Sequence, residues 1–274
     1  MALLTKIKRS LFIWIAIGLV VLVSSFALIY WLGLGSGSQS SVLYGQAYSS
    51  PQLTQNPILV VVLHGDAPFN KPTYQYKLAQ QGAQQNNNVV AVGLLRPGYT
   101  DLEGHHSAGQ RGWTTSDNYT PSIIKAVVLT IQDLKKRYHP RKIVVAGHSG
   151  GAVITADVMS QYPDLVQATL LVSCPCDVDA FRRHMADQQN NLLWRIPVER
   201  LSPIELVHQV SPSTQITLVT GSIDSIALPT YTYRYATLLR NKGISVKTVT
   251  LANQGHEIFL RPEVLLQLKE LINL

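Results

Sequence analysis

The sequence predicts an α/β domain on a mostly parallel, doubly wound sheet with helices on both faces, preceded by one N-terminal transmembrane helix. Three observations carry that expectation. Short β-branched apolar runs such as Ile58–Leu63 (ILVVVL) have the composition of strands buried on both faces. These runs alternate with segments of helical spacing, the pattern of successive βαβ units. Residues 11–34 contain no charged side chain, and at about 1.5 Å per helical residue they span a hydrocarbon core of about 30 Å.

The N-terminus sets the expected side of the membrane. Lys6, Lys8 and Arg9 precede the apolar run, the next basic residue is Lys71, and Trp14, Tyr30 and Trp31 lie near the ends of the run. By the positive-inside rule, residues 1–10 form a cytoplasmic tip, residues 11–34 a signal anchor, and everything after them lies on the non-cytoplasmic (periplasmic or extracellular) side. The alternative is a signal peptide whose cleavage would release a secreted protein. The apolar region of such peptides is usually about 7–15 residues, and no A-x-A site follows this one.

Residues 35–56, rich in Ser, Gly and Gln, read as a linker. Residues 57–274 then suit one large α/β domain. Its strands are expected at 58–63, 89–95, 142–146, 169–173, 215–220 and 246–251. Helices are expected at 74–85, 121–138, 150–162, 229–241 and 262–272, with a short one at 203–210. Pro121 suits a helix's first turn, with Thr120 or Ser122 as cap. Residues 96–120 read as a polar loop, in which Arg111 and Trp113 are candidates to line a pocket. Residues 176–202, irregular or helical, are a candidate small cap. Tyr231, Tyr233 and Tyr235, inside an expected helix, are assigned to packing and solvent.

Composition excludes several classes. Hydrophobic residues make up 46% of the 274 and charged ones 14%, so the chain has a core and is not disordered. The net charge of +7 includes the three cations of the tip, and no basic run interleaves with aromatics. Nucleic acid is therefore not an expected partner. Two cysteines, Cys174 and Cys176, make neither a disulfide framework nor a four-ligand zinc site. A bridge between them, across one residue, is disfavoured. His105 and His106, with Asp101 and Glu103, match no common metal spacing. No metal and no cofactor are expected.

The chemistry-bearing motifs fall at the carboxyl ends of strands, where open α/β sheets form their sites. Gly147-His148-Ser149-Gly150-Gly151 lies between a strand and a helix, the context that G-x-S-x-G needs to act as a nucleophile elbow. Serine is a weak nucleophile at neutral pH and needs a base. Of the eight histidines, His256, in the loop after the last strand, has the right place. Asp224 lies in the loop after the preceding strand, so both side chains emerge at one edge of the sheet. In these roles His256 takes the proton of Ser149, and Asp224 fixes the imidazole tautomer. His64-Gly65-Asp66 follows the first strand. The backbone N–H groups of Asp66 and Gly150 are the candidate oxyanion donors. The Asp66 carboxylate is expected to face outward, because a negative charge beside an oxyanion is unfavourable. His64 is expected to bond loop backbone rather than act as base.

Together His64-Gly65-Asp66, Arg96-Pro97-Gly98-Tyr99, GHSGG, GSID and GHE resemble the α/β-hydrolase superfamily over most of 57–274. The resemblance is closest to single-domain serine hydrolases related to the catalytic domain of prolyl oligopeptidase-like enzymes. It implies hydrolysis of a small-molecule ester or a peptide through an acyl-enzyme and without a cofactor. The chain leaves no room for a propeller domain, so the expectation is a membrane-anchored serine hydrolase acting on carboxylic esters. A peptidase of the same type is the alternative. A non-catalytic binding domain of this fold is a further one, which the complete motif set disfavours.

Overall fold

In a computed structural model of the chain, the described residues are 42–112 and 119–274. The expected tip (1–10), transmembrane helix (11–34) and most of the first half of the linker lie outside them, as does Trp113. Among the described residues, no helix is long and apolar enough to cross a membrane.

The sheet has seven strands: β1 (Gly45–Ser49), β2 (Ile58–Leu63), β3 (Val89–Leu94), β4 (Lys142–His148), β5 (Ala168–Val172), β6 (Gln215–Gly221) and β7 (Val246–Leu251). Their spatial order is β1-β3-β2-β4-β5-β6-β7. All are parallel except β1, which pairs antiparallel with β3 from Gly45↔Leu94 to Ser49↔Val90. The expected linker 35–56 therefore contains the edge strand. Its five residues, GQAYS, carry one aromatic and no β-branched residue, so neither period nor propensity marks them as a strand.

Alternation within each strand divides the core into two layers. Leu59, Val61 and Leu63 pack with helices α2 (Pro121–Tyr138), α3 (Gly150–Gln161) and α5 (Pro229–Asn241). Ile58, Val60 and Val62 pack with α1 (Tyr74–Gln84) and α6 (Pro262–Asn273) on the opposite face. Thr120 caps α2, accepting from the Ile123 N–H, and Pro121 starts that helix.

From β2 the chain moves to β3 on one side and then to β4 on the other. This reversal is the topological switch point where such sheets open a crevice. Register places Leu63 beside Gly147, so the loop after β2 and the turn after β4 are neighbours.

Two further differences from the expectations concern the region after β5. Residues 203–210 form two short 3₁₀ turns, Pro203–Glu205 and Val207–Gln209, because Leu206 (φ −99°, ψ 5°) interrupts the helical backbone. Cys174 and Cys176 are joined as a disulfide; the turn brings their Cα atoms to 5.1 Å, within the range such a bond spans. Beyond them, helix α4 (Val178–Gln188) and the 3₁₀ turn Leu192–Arg195 carry Phe181, Met185, Ala186 and Trp194. These pack with Tyr231 in a small cluster outside the two main layers. Tyr235 is also buried and Tyr233 exposed.

Candidate active site

Ser149 stands in the turn from β4 into α3 with φ 51° and ψ −120°, a conformation that costs a non-glycine residue free energy and is held only by its surroundings. Backbone crowding explains the flanking glycines. A Cβ on Gly147 would come within 2.2 Å of the Gly151 carbonyl oxygen, and one on Gly151 within 2.3 Å of the His64 carbonyl oxygen. The Ser149 N–H donates to the Val172 carbonyl at 2.9 Å, tying the elbow to β5.

His256 and Asp224 meet at the same edge. The imidazole Nδ1 lies 2.9 Å from Asp224 Oδ2 and 3.1 Å from Oδ1. A carboxylate can only accept there, so Nδ1 carries the proton and Nε2 is left as the basic nitrogen. Asp224 Oδ1 also accepts from the N–H groups of Ile226 and Ala227, each at 2.9 Å, which fixes the carboxylate's orientation. The two loops are stitched together by Ile223 N–H to the Gln254 carbonyl and Ser222 N–H to the Leu251 carbonyl. Ser149 and His256 face one cavity of about 520 Å³. Among the described residues, no hydrogen bond joins Ser149 Oγ to the His256 ring.

The Asp66 carboxylate does not face outward as expected. It turns inward over Gly150, where a Cβ would come within 2.0 Å of Oδ1. The physical reason is compensation. Arg96 Nη2 donates to Oδ1 at 3.0 Å and the Tyr119 hydroxyl to Oδ2 at 2.5 Å, so the charge is paired and hydrogen-bonded on both oxygens. Arg96, fully buried, also donates from Nη1 to the His64 carbonyl and from its backbone N–H to His64 Nε2. His64 Nδ1–H in turn donates to the Gly65 carbonyl at 2.7 Å. Burial, and then the Arg96 charge, hold the His64 pKa well below that of an ordinary imidazole. His64 is thus engaged by loop backbone on both ring nitrogens. No hydrogen bond among the described residues claims the N–H of Asp66 or of Gly150, the two candidate oxyanion donors.

Helix α4 and its following turn wall the cavity with Phe181, Met185 and Trp194, and Ile226 adds to this apolar side. These lining residues were not singled out by sequence. A signal was present: Asp177 caps the helix by accepting from the Ala180 N–H, and apolar residues follow at 178, 181 and 185. Arg111 lines a different cavity, next to Pro97 and Gly109. Two cavities of about 760 and 770 Å³, around Arg182–Arg200 and around Lys135–Pro140, hold neither Ser149 nor His256. Ligand atoms of Asp101, Glu103 and His105 lie within 4.8 Å of one another. Both Asp101 oxygens are already taken, one by the Tyr76 hydroxyl and His105 Nδ1, the other by the His105 N–H.

A serine held at a strained strand-to-helix turn, beside a histidine bonded to a buried aspartate, all above a parallel sheet, defines a serine hydrolase of the α/β-hydrolase class. Residues 103–269 match the Prolyl oligopeptidase family, more than half of the chain, and the protein belongs to that family. Solved structures share the fold at low identity. Est1E from Butyrivibrio proteoclasticus, with ferulic acid bound, has a TM-score of 0.62 at 14% identity, covering 83% of this chain and 93% of its own. Esterase PE8 has a TM-score of 0.60 at 13% identity, with 85% and 98% covered. Pyrococcus horikoshii acylaminoacyl peptidase has a TM-score of 0.59 at 15% identity; 84% of this chain is covered but only 38% of that one. A search of curated proteins found no match.

Proposed function

We propose that this hydrolase cleaves carboxylic esters through Ser149, His256 and Asp224. His256 Nε2 takes the Ser149 proton as Oγ attacks the ester carbonyl carbon. The resulting oxyanion is received by the N–H groups of Asp66 and Gly150 at the start of α3. As the tetrahedral species collapses, the imidazolium returns the proton to the departing alcohol, leaving an acyl-serine. Water, deprotonated by the same imidazole, then attacks the acyl carbon and releases the acid. Asp224, already bonded to Nδ1, holds the tautomer and stabilises the imidazolium. The missing Ser149–His256 hydrogen bond is to close on substrate binding, as such contacts often do.

The observation that carries the reading is the Asp224–His256 pair, at 2.9 Å, sharing one cavity with a serine at positive φ. The apolar wall of Phe181, Met185 and Trp194 favours an apolar or aromatic acyl or alcohol group. The chain spans 38% of the acylaminoacyl peptidase's own length. Cleavage of peptide bonds is the second reading, favoured by the family match itself. A fluorophosphonate probe is expected to label the wild type at Ser149 and not S149A; labelling of both would remove the assignment. Parallel panels of p-nitrophenyl esters and aminoacyl p-nitroanilides decide between ester and peptide.

We further propose that residues 11–34 anchor the enzyme with its catalytic domain on the non-cytoplasmic side, on the strength of 24 consecutive uncharged residues after a basic tip. Carbonate-washed membranes of expressing cells are expected to retain the full-length chain; a soluble, shortened chain would instead mean cleavage and secretion.

A further inference from the structure

His148, the residue between Gly147 and the candidate nucleophile, has no part in the mechanism above, yet it is buried and bonded on both ring nitrogens. Its Nδ1 lies 3.0 Å from the Tyr74 hydroxyl and its Nε2 lies 3.1 Å from the carbonyl oxygen of His256. Tyr74 in turn accepts from the N–H of Gly65 at 2.5 Å. A second donor, Ser173 Oγ–H, reaches the His256 carbonyl at 3.2 Å.

The partners fix every proton in this chain. A carbonyl oxygen only accepts, so His148 Nε2 carries the hydrogen. Burial drives the ring's pKa down to about 3, with the neighbouring His256 acting in the same direction, so the ring is neutral and Nδ1 is bare. Tyr74 must then donate to Nδ1, which leaves its oxygen lone pairs for the Gly65 N–H. One polarity satisfies the whole run. Phe259 stacks on the His148 ring at 5.2 Å and meets the Tyr74 ring edge-on at 5.7 Å, packing apolar surface against both rings.

We propose that His148 and Tyr74 are positioning residues that couple the oxyanion loop to the catalytic base. The run of bonds starts on Gly65, whose neighbour Asp66 supplies a candidate oxyanion N–H. It passes through the residue before the nucleophile and ends on the backbone of His256. Both the base and the oxyanion donor are thereby referenced to one rigid point on β4. A displacement of either by about 1 Å is enough to cost on the order of 100-fold in rate. The inference rests on the roles proposed for Ser149, His256 and Asp66.

The test uses the full chain and a soluble p-nitrophenyl ester. Y74F removes one oxygen and severs the run without touching His256; H148F removes both bonds and keeps a ring of similar shape. Each is expected to lower kcat by about 10- to 100-fold with KM changed by less than about three-fold, the signature of transition-state positioning. The double variant is expected to lose little more than the worse single one, because both cut the same run. H148Q, whose amide reaches the same carbonyl, is expected to recover most of the H148F loss. If S149A is inactive but Y74F and H148F keep kcat within two-fold, the coupling is overturned while the hydrolase reading stands. If S149A keeps its activity, the hydrolase reading itself has failed. Should H148F not fold, as judged by near-UV circular dichroism, the milder Y74F decides alone.

Discussion

Two regions rise from the same edge of the sheet and follow different rules. The loops after β6 and β7, which carry Asp224 and His256, are bound to each other and to the strands by backbone hydrogen bonds, and Asp224 is held by three donors. The candidate cap, from Val178 to Arg195, is also tied down by hydrogen bonds, among them His184 Nε2–H to the Ser225 carbonyl and the Tyr231 hydroxyl to the Ala180 carbonyl. But the side chains by which it meets the site, Phe181, Met185 and Trp194, are held there by packing. Directional bonds set the positions of reacting atoms to within tenths of an ångström. Non-directional packing sets only a surface of suitable shape. The first region should therefore govern rate, and the second should govern which substrate is turned over.

The largest effect tests the directional region. D224N keeps the shape of the side chain but presents an N–H₂ group or a weaker acceptor to Nδ1, favouring the wrong imidazole tautomer. On an ester substrate kcat should fall by on the order of 10³- to 10⁴-fold, with KM little changed. A loss below ten-fold would mean that Asp224 is an ordinary turn residue.

A smaller, selective effect tests the cap. W194A opens the apolar wall, so kcat/KM for a long-chain or aromatic acyl ester should fall by roughly 10- to 100-fold while that for an acetyl ester changes only a few-fold. Equal losses on both would show that the cap serves rate as well, and the contrast between the two regions would disappear.

The smallest effect concerns stability. His148, held neutral by burial with a pKa near 3, and His64, held well below its ordinary value, bind fewer protons folded than unfolded once the pH drops below about 6.5. More protons on the unfolded chain means that unfolding becomes easier on acidification. Stability should thus decline as pH falls from about 6.5 toward 3, by at most about 1.4 kcal/mol per pH unit for each histidine. Urea unfolding between pH 7 and 4.5 checks this. H148F should have a shallower pH slope than the wild type, and an unchanged slope would show that the ring is not buried in its neutral form.

How much of this was legible in the sequence follows the same division. Ser149, Asp224 and His256 each sit in a short segment whose neighbours are dictated by local backbone geometry. Gly147 and Gly151 are required by contacts under 2.5 Å, and the strand before and helix after them have strong periods. Such constraints leave short-range marks. The inward turn of the Asp66 carboxylate was not legible, because its compensation comes from Arg96 and Tyr119, 30 and 53 residues away. Strand β1 was missed for a related reason. A short edge strand takes its hydrogen bonds from β3, 41 to 49 residues on, and its own residues need only be tolerant. The hydrogen bonds of Tyr74 to His148 and of Ser173 to the His256 carbonyl likewise join residues that only the folded chain brings together.

Rapid mixing with a p-nitrophenyl ester whose acyl-enzyme turns over slowly reads out whether Ser149 becomes acylated with His256 as its base. A burst of one p-nitrophenol per enzyme is expected, with an intact-mass gain equal to the acyl group and that gain mapped to the peptide containing Ser149. S149A should give neither burst nor adduct, and H256A should form the adduct at least about 10³-fold more slowly. An adduct on another residue, or an undiminished burst in H256A, would contradict acylation of Ser149 with His256 as its base.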